Sequence, residues 1–359
     1  MGGNCQWRCP LPGDWVRGKL VGCGSFGSVH MAMAKSTGGL FVVKSAQSDE
    51  VGLQALLNEV NILETLNSPH IVKCIGKEIS REHECHVFME YMAGGNLLDV
   101  VDTFGGSLEE EVVGLYTKKI LLGLKYLHEN GIVHCDLKCK NVLLSSSGDV
   151  KLADFGSAKR IKDSRSQVGF ADSWQNIGGT PLWMAPEVMR NEGLDFVSDI
   201  WSLGCTVIEM ATGKPPNWDV EVSNPMAAIM KIACGNERPR FPRKFSEMGL
   251  DFLAKCLERD HRKRWRAEEL LKHPFVSGEN DIMRNLREEE QASFSPASVL
   301  DIGIYDEVGS DSEEADSRRT NPFTRWFHER KWIGTPGQQH QQQQLESQFE
   351  SSEIWITVR

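Results

Sequence analysis

No stretch of the 359-residue chain approaches the roughly 18 uninterrupted apolar residues that a helical membrane span needs, so the sequence predicts no spanning segment. The opening MGGNCQWRCP lacks the apolar core of a secretory signal, and Gln6 stands where a myristoylation acceptor beginning at Gly2 prefers Ser or Thr. Cysteine is present ten times but without a pattern. Neither Cys135 with Cys139 nor Cys5 with Cys9 is completed by a second Cys or His pair at zinc-ligand spacing, and free thiols in a reducing compartment, cytoplasmic or also nuclear, are expected. Basic excess is missing too. Residues 276–359 hold 16 acidic and 8 basic residues, a balance of −8 that leaves only −2 for residues 1–275. Electrostatics therefore gives no reason to expect a nucleic-acid partner.

What is present falls into three parts. WVRGKLVGCG, SVHMAMA, LFVVKSA, IVKCIGKEIS and CHVFMEYM have the β-branched, Gly-punctuated composition of strands, with one helical period between them carried by Leu53, Leu56, Leu57, Val60, Leu63 and Leu66. Residues 15–92 thus read as a small antiparallel sheet carrying one helix. Beyond GGNL the period is helical. Ser107 and Glu110 stand in capping-box register, and Val113, Tyr116, Ile120, Leu124 and Leu127 share one face up to a stop at Gly131. DIWSLGCTVIEMATG is apolar nearly all round, as a helix buried in a core would be. From about residue 276 periodicity fades into DEVGSDSEEADS and GQQHQQQQ, a composition that predicts a largely disordered tail with aromatic patches at FTRWFHERKW and IWITVR.

The chemistry-bearing residues accumulate in order. Gly22, Gly24 and Gly27 form a GxGxxG ahead of Val29, and glycines let backbone close over phosphates without a Cβ in the way. A dinucleotide fingerprint would continue into a helix, whereas here a strand follows, which predicts a hairpin. Lys44 in the apolar FVVK needs an anion if it is buried, and Glu59 on the next helix faces back toward it. In GIVHCDLKCKNVLL, Asp136 can take a hydroxyl proton, Lys138 can offer charge to a phosphoryl group, and Asn141 can give an amide oxygen to a metal. Asp154 in ADFG adds a carboxylate, so the pair offers the hard oxygens that Mg²⁺ shares with phosphates.

These residues match the signature set of eukaryotic protein kinases: GxGxxGxV at Gly22–Val29, the strand Lys44, the helix Glu59, HxDLKxxN at His134–Asn141, DFG at Asp154–Gly156 and APE at Ala185–Glu187. Asp199 in SDIWSLG and Arg264 in HRKRW match the family's structural aspartate and the arginine that pairs with the APE glutamate. The chain resembles that family over residues 14–275. The resemblance implies a bilobal α+β fold (lobes 14–92 and 93–275, flanked by an extension 1–13 and a tail 276–359), with ATP and Mg²⁺ as cofactors. It implies Met89 as gatekeeper, Glu90–Met92 as hinge, and Val21, Val29, Val42 and Leu143 around the nucleotide, Val42 standing where the family usually has Ala. Lys138 and Thr180 follow the serine/threonine form. GTPLWMAPEV with HCDLK is most similar to plant MEKK-like mitogen-activated protein kinase kinase kinases, which implies mitogen-activated protein kinase kinases as substrates and stress or hormone signalling as context. Two alternatives stand beside this: a scaffold that keeps the fold without catalysis, and a kinase of another cascade.

Cys135 departs from the family, which usually has an Arg there to clamp a phosphorylated loop residue. A thiol cannot make that bidentate contact, although Lys159 keeps one positive charge nearby. The expectation is that phosphorylation at the candidate sites Ser157, Ser164, Ser166, Ser173 or Thr180 orders this enzyme only weakly. The acidic tail, with Ser310 and Ser312, is a candidate docking element.

Overall fold

The computed structural model describes residue 10 and residues 13–24, 27–46, 50–79, 85–161, 180–216 and 225–278. Short β-branched runs broken by turns build five strands: β1 (Trp15–Gly24), β2 (Gly27–Ala34), β3 (Leu40–Ser45), β4 (Cys74–Ile79) and β5 (Cys85–Glu90). They form one antiparallel sheet in the order β1-β2-β3-β5-β4. Alternation along β3 decides what each face does. Phe41 and Val43 pack with Ala32 and Phe88 in a small outer cluster, closed by Trp15 at ring distances of 6.5 Å to Phe41 and 5.6 Å to Phe88. Val42 and Lys44 face the other way. That side is covered by α1 (Glu50–Leu63), which buries Leu56, Val60 and Leu63.

The second lobe is helical: α2 (Leu97–Thr103), α3 (Glu110–Glu129), α4 (Pro186–Met189), α5 (Phe196–Thr212), α6 (Pro225–Cys234), α7 (Glu247–Cys256), α8 (Ala267–Leu270) and α9 (Pro274–Ser277). Two small ribbons carry the loops between them, β6 (Ile132–Val133) with β9 (Lys159–Arg160), and β7 (Val142–Leu144) with β8 (Val150–Leu152). Every residue of α5 from Val197 to Met210 is buried, as its all-round apolarity predicts. Asp195 caps its start by accepting from the Phe196 N–H at 2.7 Å, and Gly213 ends it in the left-handed region at φ 63°. A Cβ on Gly213 would lie 1.9 Å from the Gly106 carbonyl oxygen, so the α2–α3 loop can close on this end only over glycine.

One expectation fails. Ser107 does not cap α3, whose N-cap is Glu109 without a side-chain hydrogen bond. The Glu110 carboxylate is instead taken by the start of α7, accepting from the Ser246 N–H at 2.7 Å and the Ser246 hydroxyl at 2.6 Å. A tertiary bond has displaced the local one. The disordered-tail reading and the candidates Ser164, Ser166 and Ser173 lie outside the described residues.

Candidate active site

The site begins with the β1–β2 hairpin, in which Gly24 pairs with Gly27. Gly27 has φ 145°, and a Cβ there would come within 2.0 Å of the Ser45 carbonyl oxygen. Only glycine permits that close approach of β2 to the end of β3. Gly22 pairs with Val29, and Val29 and Leu143 are half-buried against the main core that contains Val42, Met89 and Met92, while Val21 is exposed at the rim. The hinge is clamped by its glutamate: Glu90 Oε1 accepts from the Lys73 N–H and from Lys151 Nζ, both at 2.7 Å.

Lys44 meets two anions. Its Nζ donates to Glu59 Oε2 at 2.6 Å and to Asp154 Oδ1 at 2.8 Å, while Glu59 Oε1 accepts from the Phe155 N–H at 3.2 Å. Burial disfavours the ammonium, but the charges of Asp154 and Glu59 outweigh it and hold Lys44 above the ordinary lysine range. Burial likewise opposes the Asp154 carboxylate, and the Lys44 charge and hydrogen bond overcome it, so Asp154 is held below the usual carboxylate range. Helix α1, strand β3 and the DFG turn are thereby locked to one another. Asn58 adds to this lock, donating from Nδ2 to the carbonyls of Gly156 at 3.0 Å and Ala158 at 2.9 Å.

The catalytic loop is held from beneath by Asp199 on α5. Its Oδ2 accepts from the His134 N–H at 2.9 Å, and its Oδ1 from the Cys135 N–H at 3.0 Å. These bonds sustain a left-handed backbone at Cys135, φ 67°, which a non-glycine residue adopts only when its surroundings impose it. The His134 ring packs 4.9 Å from Phe155, its Nε2 donating to the Ala153 carbonyl at 3.0 Å and its Nδ1 accepting from the Asp136 N–H at 3.3 Å. Glu209, also on α5, accepts from the Cys139 N–H at 2.9 Å and the Trp183 indole at 3.1 Å, and burial holds its carboxyl above the usual carboxylate range.

Around Asp136 three groups converge. Thr180 donates its hydroxyl to Oδ1 at 2.6 Å, Asn141 Nδ2 donates to Oδ2 at 2.9 Å, and Lys138 Nζ lies 3.0 Å from Oδ2 while donating to the Thr180 oxygen at 2.6 Å. Because Asn141 spends its amide N–H₂ on Asp136, its amide oxygen is the group left for a cation. Asp154, bound to Lys44 through one oxygen, offers the other. Among the described residues no group of three or more His, Cys, Asp or Glu side chains could hold a metal. Two protein oxygens completed by phosphates and water are what Mg²⁺ takes, so the donor set fits.

The remaining sequence candidates divide. Ser157 is buried, and the Thr180 hydroxyl is engaged both as donor and as acceptor, so neither is presented as a free phosphate acceptor. Burial, reinforced by Asp199, pushes the Cys135 thiol well up, and burial does the same at Cys139. The eight described cysteines are all free. Four contributors escaped the sequence reading: Asn58, the Glu90 side chain, His128, whose Nε2 lies 2.9 Å from Asp199 Oδ2, and Glu209. A second carboxylate, besides Asp199, inside an otherwise largely apolar helix was the available signal for Glu209.

Known proteins are similar to this chain over the same region. The protein kinase domain family matches residues 15–276. The chain is 37% identical over 361 residues to mitogen-activated protein kinase kinase kinase 18 of Arabidopsis thaliana, covering 96% of this chain and 99% of that protein. It is 40% identical over 273 residues to mitogen-activated protein kinase kinase kinase 3 of the same plant, and 42% over 282 residues to the human protein of that name. It spans 41% and 44% of the length of those two, matching 74% and 76% of itself. The chain therefore belongs to the protein kinase family, in its serine/threonine branch, and is similar to mitogen-activated protein kinase kinase kinases.

Proposed function

We propose that this protein transfers the γ-phosphoryl group of ATP to serine and threonine hydroxyls of mitogen-activated protein kinase kinases, as the third-tier kinase of a plant stress or hormone cascade. The observation that carries the reading is the convergence of Thr180, Asn141 and Lys138 on the Asp136 carboxylate, beside a Lys44 already paired with Glu59 and Asp154. Asp136 orients the attacking hydroxyl and takes its proton as the new oxygen–phosphorus bond forms and the bond to the departing ADP breaks. Lys138 places its charge beside the transferred group, and Lys44 beside the remaining phosphates. Asn141 and Asp154 would hold Mg²⁺, which neutralises phosphate charge when bound. The main core runs unbroken beneath these groups, so they are positioned by rigid elements.

The names of the similar proteins support the tier and the substrate class. The free thiols fit cytosolic or nuclear residence, and no helix among the described residues is long and apolar enough to cross a membrane. A non-catalytic scaffold would be favoured by a gap among Lys44, Asp136, Asn141 and Asp154, and the sequence has all four. The test is phosphate transfer from Mg²⁺–ATP to catalytically inactive mitogen-activated protein kinase kinases, mapped by site, with wild type beside Asp136→Asn. Incorporation on the substrate's activation-loop Ser or Thr, lost in the variant, is expected. Transfer to generic substrates alone would refute the tier, and ATP binding without transfer would refute the catalytic reading.

A further inference from the structure

A groove of about 280 Å³ opens on the second lobe between the end of α5 and the segment preceding α7. Ile208, Pro215, Phe241 and Pro242 give it an apolar floor, and Lys214, Arg240 and Arg243 stand exposed around it. Among its described lining residues there is no carboxylate. A second cavity, at His70, Lys119 and Lys151, differs on this point, because Asp149 lines it. The groove is smaller than the ~300–1,000 Å³ typical of small-molecule sites. Its size suits one or two anchoring side chains, and its rim suits an acidic peptide.

The chain itself leads to this place. Phe275, on α9, lies 5.9 Å from the Phe245 ring, and the Phe245 N–H donates to the Pro242 carbonyl at 3.4 Å. The last described helix thus ends beside the groove wall, and residues 279–359 continue from there. Their segments are not equivalent. DEVGSDSEEADS has charge but almost no apolar anchor, while FTRWFHERKW and IWITVR have anchors but carry basic charge that the rim would repel. In ENDIMRNLREEE the acids alternate with Arg284 and Arg287. Residues 299–307, VLDIGIYDE, and residues 345–358, LESQFESSEIWITV, both combine apolar side chains with acids and no basic residue, but the first begins 21 residues after Gly278 and the second 67, and the shorter tether gives the higher local concentration.

We propose that residues 299–307 dock into this groove in cis, with apolar side chains among Leu300, Ile302, Ile304 and Tyr305 on its floor and Asp301, Asp306 and Glu307 against Lys214, Arg240 and Arg243. The 21 residues from Gly278 to Val299 can span roughly 70 Å when extended, far more than the approach requires. Covalent connection raises the local concentration of the segment into the millimolar range, so a contact too weak to form between separate molecules is populated here. The kinase and its acidic tail are then one assembly, in which a partner for either surface must displace the other.

Hydrogen exchange on the full chain tests this. Amides of residues 299–307 are expected to exchange about tenfold more slowly in wild type than in the Lys214→Glu, Arg243→Glu double variant. The tail variant Asp306→Lys, Glu307→Lys, which leaves the described domain untouched, should lose the same protection. Combining the two reversals should restore it. Carbodiimide coupling should join Lys214 to Asp301, Asp306 or Glu307, and in a mixture of ¹⁴N and ¹⁵N protein the joined peptides should share one isotope. Mixed-isotope pairs would overturn docking in cis in favour of a second copy. An unprotected segment, or protection indifferent to charge reversal, would overturn the site.

Discussion

Two buried cation–glutamate pairs tie this molecule together, and they differ in what surrounds them. Arg264 grips Glu187 with two bonds, of 2.6 and 2.9 Å, and spends its other donors on the carbonyls of Glu258 and Val197, with Trp201 5.1 Å beneath the guanidinium. Both residues are sealed, and their partners lie within one lobe. Lys44 makes single bonds to each of two carboxylates from different elements, and the side chain of one of them, Asp154, is 34% exposed. A bidentate fork in a closed pocket has one arrangement. A point charge shared between two acids at an open cleft can exchange one acid for a phosphate. The first pair is built to hold, and the second to be used.

Replacing the cation in each pair should separate these roles. Lys44→Met should lower kcat/KM about 10⁴-fold, about 5.5 kcal/mol at about 1.4 kcal/mol per decade, since a cation aimed at a phosphoryl group is worth about 10³–10⁵. Its melting temperature should fall less than that of Arg264→Met, because Asp154 can return to water and Glu59, whose carboxyl burial already pushes up, can take a proton. Arg264→Met leaves Glu187 charged in a closed pocket. Such a loss costs about 3–5 kcal/mol, or roughly 10 °C for a domain of this size. Thermal unfolding read beside kinetics settles the comparison, and a larger melting shift in Lys44→Met would reverse it. Gly27→Ala probes the same cleft without touching charge. Strain at φ 145° and contact with Ser45 should cost about 1–3 kcal/mol and raise KM for ATP more than they lower kcat.

The first pair's members and those of the second were both legible in the sequence, because each sits in a short motif whose residue types answer a local chemical need. The supports around them were less so. Asn58, Glu90, His128 and Glu209 each meet at least one partner 61 to 100 residues away, and no local period encodes such a meeting. Ser107 and Glu110 illustrate the converse: spacing fitted a capping box, and Ser246, 136 residues from Glu110, took the carboxylate instead. The lobes themselves followed from hydrophobic period, strand alternation sorting Val42 and Lys44 from Phe41 and Val43, and the all-round apolarity of α5 marking the core. Pattern carried the chain as far as elements and motifs. Long-range hydrogen bonds then decided how those elements lock.

The smallest expected effect concerns Cys135, beside the catalytic aspartate. Its backbone is fixed by Asp199 and its Sγ lies 3.6 Å from the Val133 carbonyl, so the side chain stays against its own segment and offers no guanidinium to a phosphate. Lys159 remains close enough to favour the thiolate slightly, one cation in place of a bidentate fork. The Lys44–Glu59 and Asp136–Thr180 contacts are made directly between side chains. Phosphatase treatment should therefore change kcat/KM by no more than about twofold, about 0.4 kcal/mol. Cys135→Arg, by supplying the fork, should widen the ratio of phosphorylated to dephosphorylated activity. A loss above tenfold in the treated wild type would show that the loop is clamped by other means. Alkylation gives an independent check on the same pocket: because burial and Asp199 raise the Cys135 thiol, iodoacetamide near pH 8 should label the exposed Cys23 and Cys234 well before it. Early labelling of Cys135 would mean that the pocket opens readily, and the backbone hold from Asp199 would then be weaker than its two short bonds imply.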